Sequence, residues 1–400
     1  MIALTAALLL IAAACSDTSS DGASGDSPSG EAVELEQVSS SPRQDVPSAL
    51  ESMTGAGLPE PTVEVGRVVS GGPPPDGIPS IDRPRFEKAS DIGWLADREP
   101  VMSLTIDDET RAYPVQVMTW HEIVNDTVAG VPVVVTYCPL CNSALVYERR
   151  ADDQVLDFGV SGKLYNSSLV MYDRQTESLW SHFVGEAIAG VMTGTKLEEL
   201  AVSMVSWADW REANPQGWVL SKDTGFDRPY GRNPYVNYDR ANTDPFLFDE
   251  TPDGRMPAKT RVLGIEENGR AVAVLTDALR NQGVVHLEFG SRPIVAWAKP
   301  GAASALDSQE IAEGKEVGQT GVFESVLDGQ PLTFEPSTDG FKDSQTQSTW
   351  NVLGQAVDGP LSGKRLTAIP HVDTFWFAWA AFQPQSQIFN GGAAGGSQNG

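Results

Sequence analysis

The sequence contains little cysteine and little histidine for its length. Among 400 residues there are 3 cysteines and 4 histidines. A chain of this length can bury a substantial core, so it does not need the dense disulfides that hold small secreted domains together. Size therefore gives no reason to need disulfides, and thiol or imidazole chemistry has very few residues to use.

Basic residues are also scarce. The chain has 28 Lys and Arg against 54 Asp and Glu, which gives a formal net charge of -26. Such a surface repels phosphate backbones and anionic lipid headgroups. Nucleic acid is therefore not an expected partner, and the charge fits a solvated surface that keeps an exported protein soluble.

The apolar run at the N-terminus is short. It extends from Ile2 to Ala14 and ends in small residues before Cys15. It is too short to span a bilayer, but it fits the hydrophobic region of a secretion signal. Residues 11–15, Ile-Ala-Ala-Ala-Cys, resemble a bacterial lipobox, although Ala12 replaces the usual Leu and no basic residue precedes the run. We expect a signal peptide over 1–15, lipidation of Cys15 and an extracytoplasmic protein anchored to the cell membrane, with an ordinary cleaved signal as the alternative.

Several common catalytic signatures are missing. The chain has no GxSxG elbow, HExxH pair, phosphate loop or dinucleotide fingerprint in the structural context that each requires. The chemistry of those motifs is therefore not expected here, and no nucleotide cofactor is expected. Whether the protein is an enzyme stays open.

The composition divides the rest of the chain into a tether, a folded region and a tail. Residues 16–61 are rich in Ser, Gly, Asp, Glu and Pro, which predicts a disordered tether, and residues 390–400 predict a flexible tail. Between them, short runs of apolar alternation predict strands, at 131–137, 144–147 and 168–172 among others. Helical patterns are fewer, at Val115 to Val124 and at Trp207 to Ala213. The fold class expected is α+β and rich in β-strands.

The folded region contains an internal repeat. Residues 178–197 are echoed by residues 348–366, and each stretch is followed by two tryptophans three apart, Trp207 with Trp210 and Trp376 with Trp379. We therefore expect one duplicated unit, with a first half at 62–258 and a second half at 259–389 related by a pseudo-twofold axis. Features shared by the halves, such as the tryptophans, are expected to build the core.

Two cysteines occur in the first half only. The stretch Tyr137-Cys-Pro-Leu-Cys-Asn142 lies between two predicted strands, whereas a thioredoxin-type CxxC pair opens a helix. A turn of the CPxCG kind, in a β context, directs both thiolates at a metal, and the residue after the second cysteine is left-handed. Asn142 tolerates that conformation. Cys138 and Cys141 are therefore the first candidates for chemistry.

Two histidines are candidate partners for the cysteines. His121 precedes the cysteine strand by a short loop, and His371 stands where the first half has Val202. A set of Cys138, Cys141, His121 and His371 would suit copper or zinc, with Asp373 as an acceptor that orients His371.

The residues themselves leave other interpretations open. Cys138 and Cys141 could instead form a structural disulfide, a redox-active pair or two inert thiols, and a lone histidine is more often a hydrogen-bonded imidazole than a ligand. The metal or electron-transfer site is the leading hypothesis. A thiol–disulfide redox enzyme and a non-catalytic surface module are the alternatives.

Several motifs resemble one family of bacterial and archaeal proteins. They are Trp120-His-Glu-Ile-Val-Asn-Asp126, Thr136-Tyr-Cys-Pro-Leu-Cys-Asn-Ser-Ala144, Met171-Tyr-Asp-Arg-Gln-Thr-Glu-Ser-Leu-Trp180, Gly185-Glu-Ala-Ile188 and His371-Val-Asp-Thr-Phe-Trp-Phe-Ala-Trp379. The chain is similar in these motifs to the family named domain of unknown function 3179. The resemblance implies an extracytoplasmic protein but no particular activity, ligand or protein partner. Asn142 stands where the family commonly has Gly, and His182 where it commonly has Gln, which argues against His182 as a general ligand.

Overall fold

The computed structural model describes residues 46–151, 153–289 and 292–391, and these residues form a β-rich fold. The predicted signal peptide, Cys15, residues 16–45 of the predicted tether and residues 392–400 of the predicted tail lie outside the described residues. Packing begins before the predicted boundary at Thr62, because Ala49 and Met53 are buried against strands of the first half. Two apolar side chains within a polar segment are enough for this contact. None of the helices in the described ranges is long and apolar enough to cross a membrane.

In its described residues, the first half contains sixteen strands and two short helices. In chain order they are β1 (Val68–Ser70), β2 (Phe86–Lys88), β3 (Pro100–Ile106), β4 (Glu109–Pro114), α1 (Val115–His121), β5 (Ile123–Val128), β6 (Val131–Cys138), β7 (Ser143–Glu148), β8 (Arg150–Ala151), β9 (Gln154–Val155), β10 (Phe158–Tyr165), β11 (Ser168–Asp173), β12 (Leu179–Ser181), β13 (Glu186–Ala189), β14 (Glu198–Leu200), β15 (Val202–Ser206), α2 (Trp207–Ala213) and β16 (Trp218–Leu220).

The second half contains thirteen strands and two short helices in its described residues. They are β17 (Arg261–Glu267), β18 (Arg270–Leu275), α3 (Thr276–Gln282), β19 (Val284–Phe289), β20 (Arg292–Lys299), β21 (Gln319–Glu324), β22 (Val326–Leu327), β23 (Gln330–Pro331), β24 (Phe334–Ser337), β25 (Gly340–Asp343), β26 (Thr349–Trp350), β27 (Ala356–Asp358), β28 (Val372–Phe375), α4 (Trp376–Phe382) and β29 (Gln387–Phe389). Single 3-10 turns lie at Val65–Arg67, Ala89–Asp91 and Ile311–Glu313.

Both predicted helices of the first half form. The helix α1 ends at His121, three residues before the predicted end, because Glu122 has a φ of +59° and turns the chain into β5. The helix α2 spans the predicted residues, and the Ser206 side chain caps it by accepting a hydrogen bond from the Asp209 amide. It ends before an Asn-Pro pair, since the residue before a proline is biased away from helix.

The strands of each half form three main sheets. The orders in the first half are β15-β3-β4-β16-β2, β14-β7-β6-β5 and β1-β10-β11-β12-β13. The orders in the second half are β28-β17-β18-β29, β21-β20-β19 and β24-β25-β26-β27. In the first-named sheet of each half, one strand is parallel to its neighbour. This strand is β16, beside β4, in the first half and β29, beside β18, in the second. Each second-half sheet thus has the strand order of a first-half sheet with one strand fewer.

The core joins the two halves through their tryptophans. Trp180 of the first half lies in one apolar cluster with Trp376 and Trp379 of the second half. Trp350 of the second half lies in another cluster with the first-half pair from α2, Trp207 and Trp210. All six indoles are buried, as expected for repeated residues. The halves therefore share their cores, and the cysteine turn lies in the cluster that contains Trp180.

Candidate functional site

The cysteine turn connects two neighbouring strands. Strand β6 ends at Cys138 and β7 begins at Ser143, and these two residues are opposite each other at the end of the ladder. Asn142 has a φ of +54°, the left-handed conformation predicted for the residue after the second cysteine. The β context of the turn, predicted from the flanking residues, is confirmed.

Both cysteines are free thiols inside the protein. Cys138 is 2% exposed and Cys141 has no exposed surface. The Sγ atom of Cys141 lies 2.9 Å from Ser143 Oγ and 3.6 Å from Ser168 Oγ. The disulfide alternative therefore does not describe this structure, in which the second thiol is surrounded by hydroxyl groups.

A histidine extends this contact into a hydrogen-bonded chain. The Oγ atom of Ser143 lies 2.7 Å from Nε2 of His182, and Nδ1 of His182 lies 2.7 Å from Thr136 Oγ1. Thr136 uses its single hydroxyl proton to donate to the carbonyl oxygen of Leu145, at 2.9 Å. Nδ1 of the imidazole must therefore donate to Thr136, which leaves Nε2 as an acceptor.

This tautomer fixes the direction of the remaining hydrogen bonds. Ser143 donates its hydroxyl proton to Nε2 of His182, so the Ser143 oxygen is free to accept the Cys141 thiol proton. A proton can therefore pass from Cys141 to the imidazole through one serine. Nucleophilic thiols are commonly activated by a base within hydrogen-bond reach, and here the imidazole is one serine away.

The two thiols have opposite pKa shifts. Burial raises the pKa of Cys141, but hydrogen bonds with Cys138, Ser143 and Ser168 outweigh burial and bring its pKa below the ordinary value. Burial, together with the neighbouring Cys141, raises the pKa of Cys138 well above its ordinary value. Burial lowers the pKa of His182 to about 4, so its imidazole is neutral at pH 7. One thiol is thus prepared to ionise and the other is held protonated.

A buried carboxyl group lies beside Cys138. Glu122 follows α1 and is 8% exposed, and its backbone carbonyl accepts a hydrogen bond from the Tyr137 amide at 2.9 Å. Burial raises the pKa of Glu122 well above its ordinary value, and the nearby Cys138 adds to the shift. A buried carboxyl group with a raised pKa is suited to donate a proton to chemistry at Cys138.

The second half and a connecting segment cover the turn. The carbonyl oxygen of Cys141 accepts hydrogen bonds from the Phe375 amide at 3.0 Å and the Thr374 hydroxyl at 2.8 Å, both in β28. Residues 221–260, which join β16 to β17, pack Tyr235, Tyr238 and other apolar side chains on the same cluster. We name residues 221–260 the connecting segment.

His121 has partners away from the cysteines. Its Nδ1 atom lies 2.7 Å from the carbonyl oxygen of Pro79, and its Nε2 atom lies 2.6 Å from the hydroxyl of Tyr230. Both ring nitrogens are therefore engaged. The turn at Glu122 directs the two neighbouring side chains to different surroundings, and it is Glu122 that lies near Cys138.

His371 and Asp373 do not join the cysteines either. Nδ1 of His371 is 2.7 Å from the carbonyl oxygen of Ile369, and Asp373 accepts a hydrogen bond from Thr320 at 2.7 Å and not from His371. Within the described ranges, no group of three or more His, Cys, Asp and Glu side chains is arranged to hold a metal ion. The predicted set of Cys138, Cys141, His121 and His371 is thus not assembled: both ring nitrogens of His121 bond elsewhere, and Nδ1 of His371 bonds the Ile369 carbonyl.

His182 is the main residue that the sequence interpretation missed. It was not expected to be a ligand because Gln is common at its position in the family. Its imidazole is nevertheless the one that bonds Ser143, the serine beside Cys141. The sequence does place one member beside the cysteine turn: Thr136 is two residues before Cys138 in a strand, so the two side chains share a face. The contact with His182 depends on the position of β12 and its following turn, which no local pattern specifies.

Fold and site together define a β-rich protein with a buried pair of unequal thiols, one of which is hydrogen-bonded to a serine–histidine pair. Residues 75–386 match the family described as "Protein of unknown function (DUF3179)", and the chain belongs to that family. No curated protein and no solved structure matches the chain.

Proposed function

We propose that the protein is an extracytoplasmic thiol–disulfide oxidoreductase in which Cys141 attacks and Cys138 resolves. The observation that supports it is the hydrogen-bonded chain from Cys141 through Ser143 to His182. The lowered pKa of Cys141 and the raised pKa of Cys138 also support it, because redox pairs combine a reactive thiolate with a protonated partner.

The exchange reaction conserves atoms and electrons in two steps. The Cys141 thiolate attacks one sulfur of a substrate disulfide, forms a mixed disulfide and releases the other substrate sulfur as a thiolate. Cys138 then loses its proton, attacks the Cys141 sulfur and releases the second substrate thiolate. Two protein thiols are oxidised to a disulfide and one substrate disulfide is reduced to two thiols, which take up the two protons. The reverse reaction oxidises a substrate dithiol.

Alkylation kinetics test this proposal. Iodoacetamide should modify Cys141 before Cys138, and the rate near pH 7 should fall about tenfold or more in His182→Gln, since a positioned base contributes at least this much. Peptide mass spectrometry identifies the modified cysteine. His286→Gln changes a histidine that bonds Phe334 in the second half, and it should leave the rate unchanged.

Other outcomes of the same preparation would overturn the proposal. Equal reactivity of both thiols, or an unchanged rate in His182→Gln, contradicts the proton path. Stoichiometric copper or zinc bound to unreactive thiols would favour the metal or electron-transfer hypothesis. A Cys138–Cys141 disulfide that resists reduction would favour a structural role in a non-catalytic surface module.

We propose further that the protein acts outside the cytoplasm, attached to the cell membrane by a lipid on Cys15. The short apolar run and the lipobox-like residues before Cys15 support this location. Mass spectrometry of the mature protein should find an acylated N-terminal Cys15, and Cys15→Ser should release the protein from the membrane fraction. A mature N-terminus at another residue, without acylation, would contradict the anchor and leave secretion intact.

We also propose that the two halves arose by duplication and are related by a pseudo-twofold axis. The matching sheet orders support this, as do β-bulges at equivalent places, before Trp180 in β12 and before Trp350 in β26. A phenylalanine stands edge-on to each of these indoles, with ring centroids 5.5 Å apart for Phe158 and 5.7 Å apart for Phe334.

A further inference from the structure

An N-terminal segment covers two sheet edges of the first half. The Ile81 amide donates to the Ile123 carbonyl and the Ile81 carbonyl accepts from the Asn125 amide, both at 2.9 Å, so the segment lies along β5. A few residues later, β2 pairs antiparallel with β16, with Phe86 opposite Leu220. Residues 81–88 therefore close the edges of β5 and β16.

The matching edges of the second half are open. By position in the sheets, β19 corresponds to β5 and β29 corresponds to β16. Among the described residues, no strand pairs with the outer edge of β19 or of β29. A groove of about 990 Å³ lies there, and β19 and β29 supply much of its lining, His286 to Glu288 and Gln387 to Phe389.

The lining of this groove is less polar than the equivalent first-half surface. In the first half, Arg111 is paired with Asp126 at 2.5 Å, and the Phe86 ring lies 4.3 Å from the Arg111 guanidinium carbon. Counted from the start of each strand, Val272 corresponds to Arg111 and Leu287 to Asp126, and both line the groove. The second half therefore has an apolar surface, formed by Val272 and Leu287, at the position where Phe86 packs in the first half.

Charge indicates which segments the groove accepts. Among its described lining residues, Glu288 is the only carboxylate, and there is no Lys or Arg. The segment that occupies the equivalent first-half position carries Arg83, Arg85 and Lys88 against Asp82 and Glu87, and is therefore basic on balance. A basic segment also complements the net charge of -26.

We propose that this groove binds an extended segment of a partner protein, with an aromatic side chain on Val272 and Leu287 and basic residues near Glu288. The segment adds an antiparallel strand to β29, a mode in which main-chain hydrogen bonds give affinity and side-chain pockets give specificity. The proposal rests on the proposed correspondence of the halves and is independent of the thiol chemistry.

The chain supplies a probe for the test. A fluorescein-labelled synthetic peptide of residues 80–90, Ser-Ile-Asp-Arg-Pro-Arg-Phe-Glu-Lys-Ala-Ser, should bind the full chain saturably in fluorescence anisotropy. Leu287→Glu should weaken binding at least tenfold, because it places a charge in the apolar surface that contacts the aromatic side chain. Glu288→Lys should weaken it less and reduce its salt dependence. A peptide with Phe86→Ala should bind at least tenfold more weakly.

Val357→Glu is the matched control, since Val357 is 51% exposed, lies in the second half and does not line the groove. It should leave peptide binding unchanged, and thermal melting should show all variants folded. Absence of saturable binding, or binding unaffected by Leu287→Glu, would overturn the proposal. A protein mass of two chains in solution that Leu287→Glu reduces to one would also overturn it, by assigning the groove to a second copy.

Discussion

His182 is a buried imidazole whose two ring nitrogens both bond to hydroxyl groups. Desolvation disfavours its charged form, so the pKa of His182 falls from 6.5 to about 4 on folding. The unfolded chain therefore binds a proton at this residue more readily than the folded chain. Folding becomes less favourable as the pH decreases through that interval.

The contribution of His182 to the free energy of unfolding should not change with pH above pH 6.5. It should decrease between pH 6.5 and pH 4, because this histidine must lose its proton when the chain folds. The loss amounts to roughly 3 kcal/mol, at 1.36 kcal/mol for each pKa unit. Urea denaturation at pH 7 and pH 4.5 should show a smaller pH-dependent loss in His182→Gln than in the natural chain. Equal losses in the two proteins would mean that His182 is accessible to water or already charged in the folded state.

Among the elements, two turns have the same hydrogen bonds in different halves. Asp173 accepts from the Thr176 amide at 2.6 Å, from the Thr176 hydroxyl at 2.8 Å and from the Trp180 indole at 2.9 Å. Asp343 accepts from the amide and hydroxyl of Thr346 at 2.5 and 2.8 Å, and from the Trp350 indole at 3.0 Å. Each carboxylate fixes a turn and one core tryptophan.

Asp173→Asn and Asp343→Asn should therefore destabilise the protein by similar amounts, about 1–3 kcal/mol each, because an amide nitrogen then faces donors that need an acceptor. Urea denaturation measures both losses. Asp328→Asn is the control, since Asp328 is exposed and bonds only the exposed Lys364, so its loss should be below about 1 kcal/mol. If one of these two variants lost stability and the other did not, the two turns would not be equivalent.

The connecting segment, residues 221–260, packs on the apolar cluster that contains the two thiols. It has neither helix nor strand, and it is held by hydrogen bonds such as those from the Lys259 ammonium to the Tyr238 carbonyl and the Thr243 hydroxyl, both at 2.9 Å. Of the seven exposed large apolar side chains among the described residues, four lie on this segment: Phe226, Val236, Phe246 and Leu247. Long connections without regular structure often serve as covers of functional sites.

At the scale of the molecule, patterns of period two and signals of helix ends predicted much of the fold. The strand before Cys138, the left-handed Asn142 and the helix α2 all follow from residues within a few positions of each other. The tryptophans were assigned to the core because they recur, and all six are buried. These features depend on local sequence, which is why they could be predicted.

The partners of the cysteines could be predicted only in part. The two thiols and Asn142 belong to one turn, but His182 arrives from a turn after β12, and sequence distance does not reveal that contact. His121 was nearer in the sequence, yet its imidazole is satisfied by Pro79 and Tyr230. Which histidine faces a thiol is decided by sheet packing and by competing hydrogen-bond partners.

The open edges of β19 and β29 also bear on how the protein behaves at high concentration. An unpaired edge is a template on which any second strand, including one from another copy, can assemble. The net charge of -26 opposes such an encounter through mutual repulsion of the copies. That repulsion extends only about 8 Å at physiological ionic strength and shortens as salt is added. The acidic surface charge therefore keeps the copies apart in solution. High salt or acid weakens this repulsion and favours precipitation through pairing of the β19 and β29 edges.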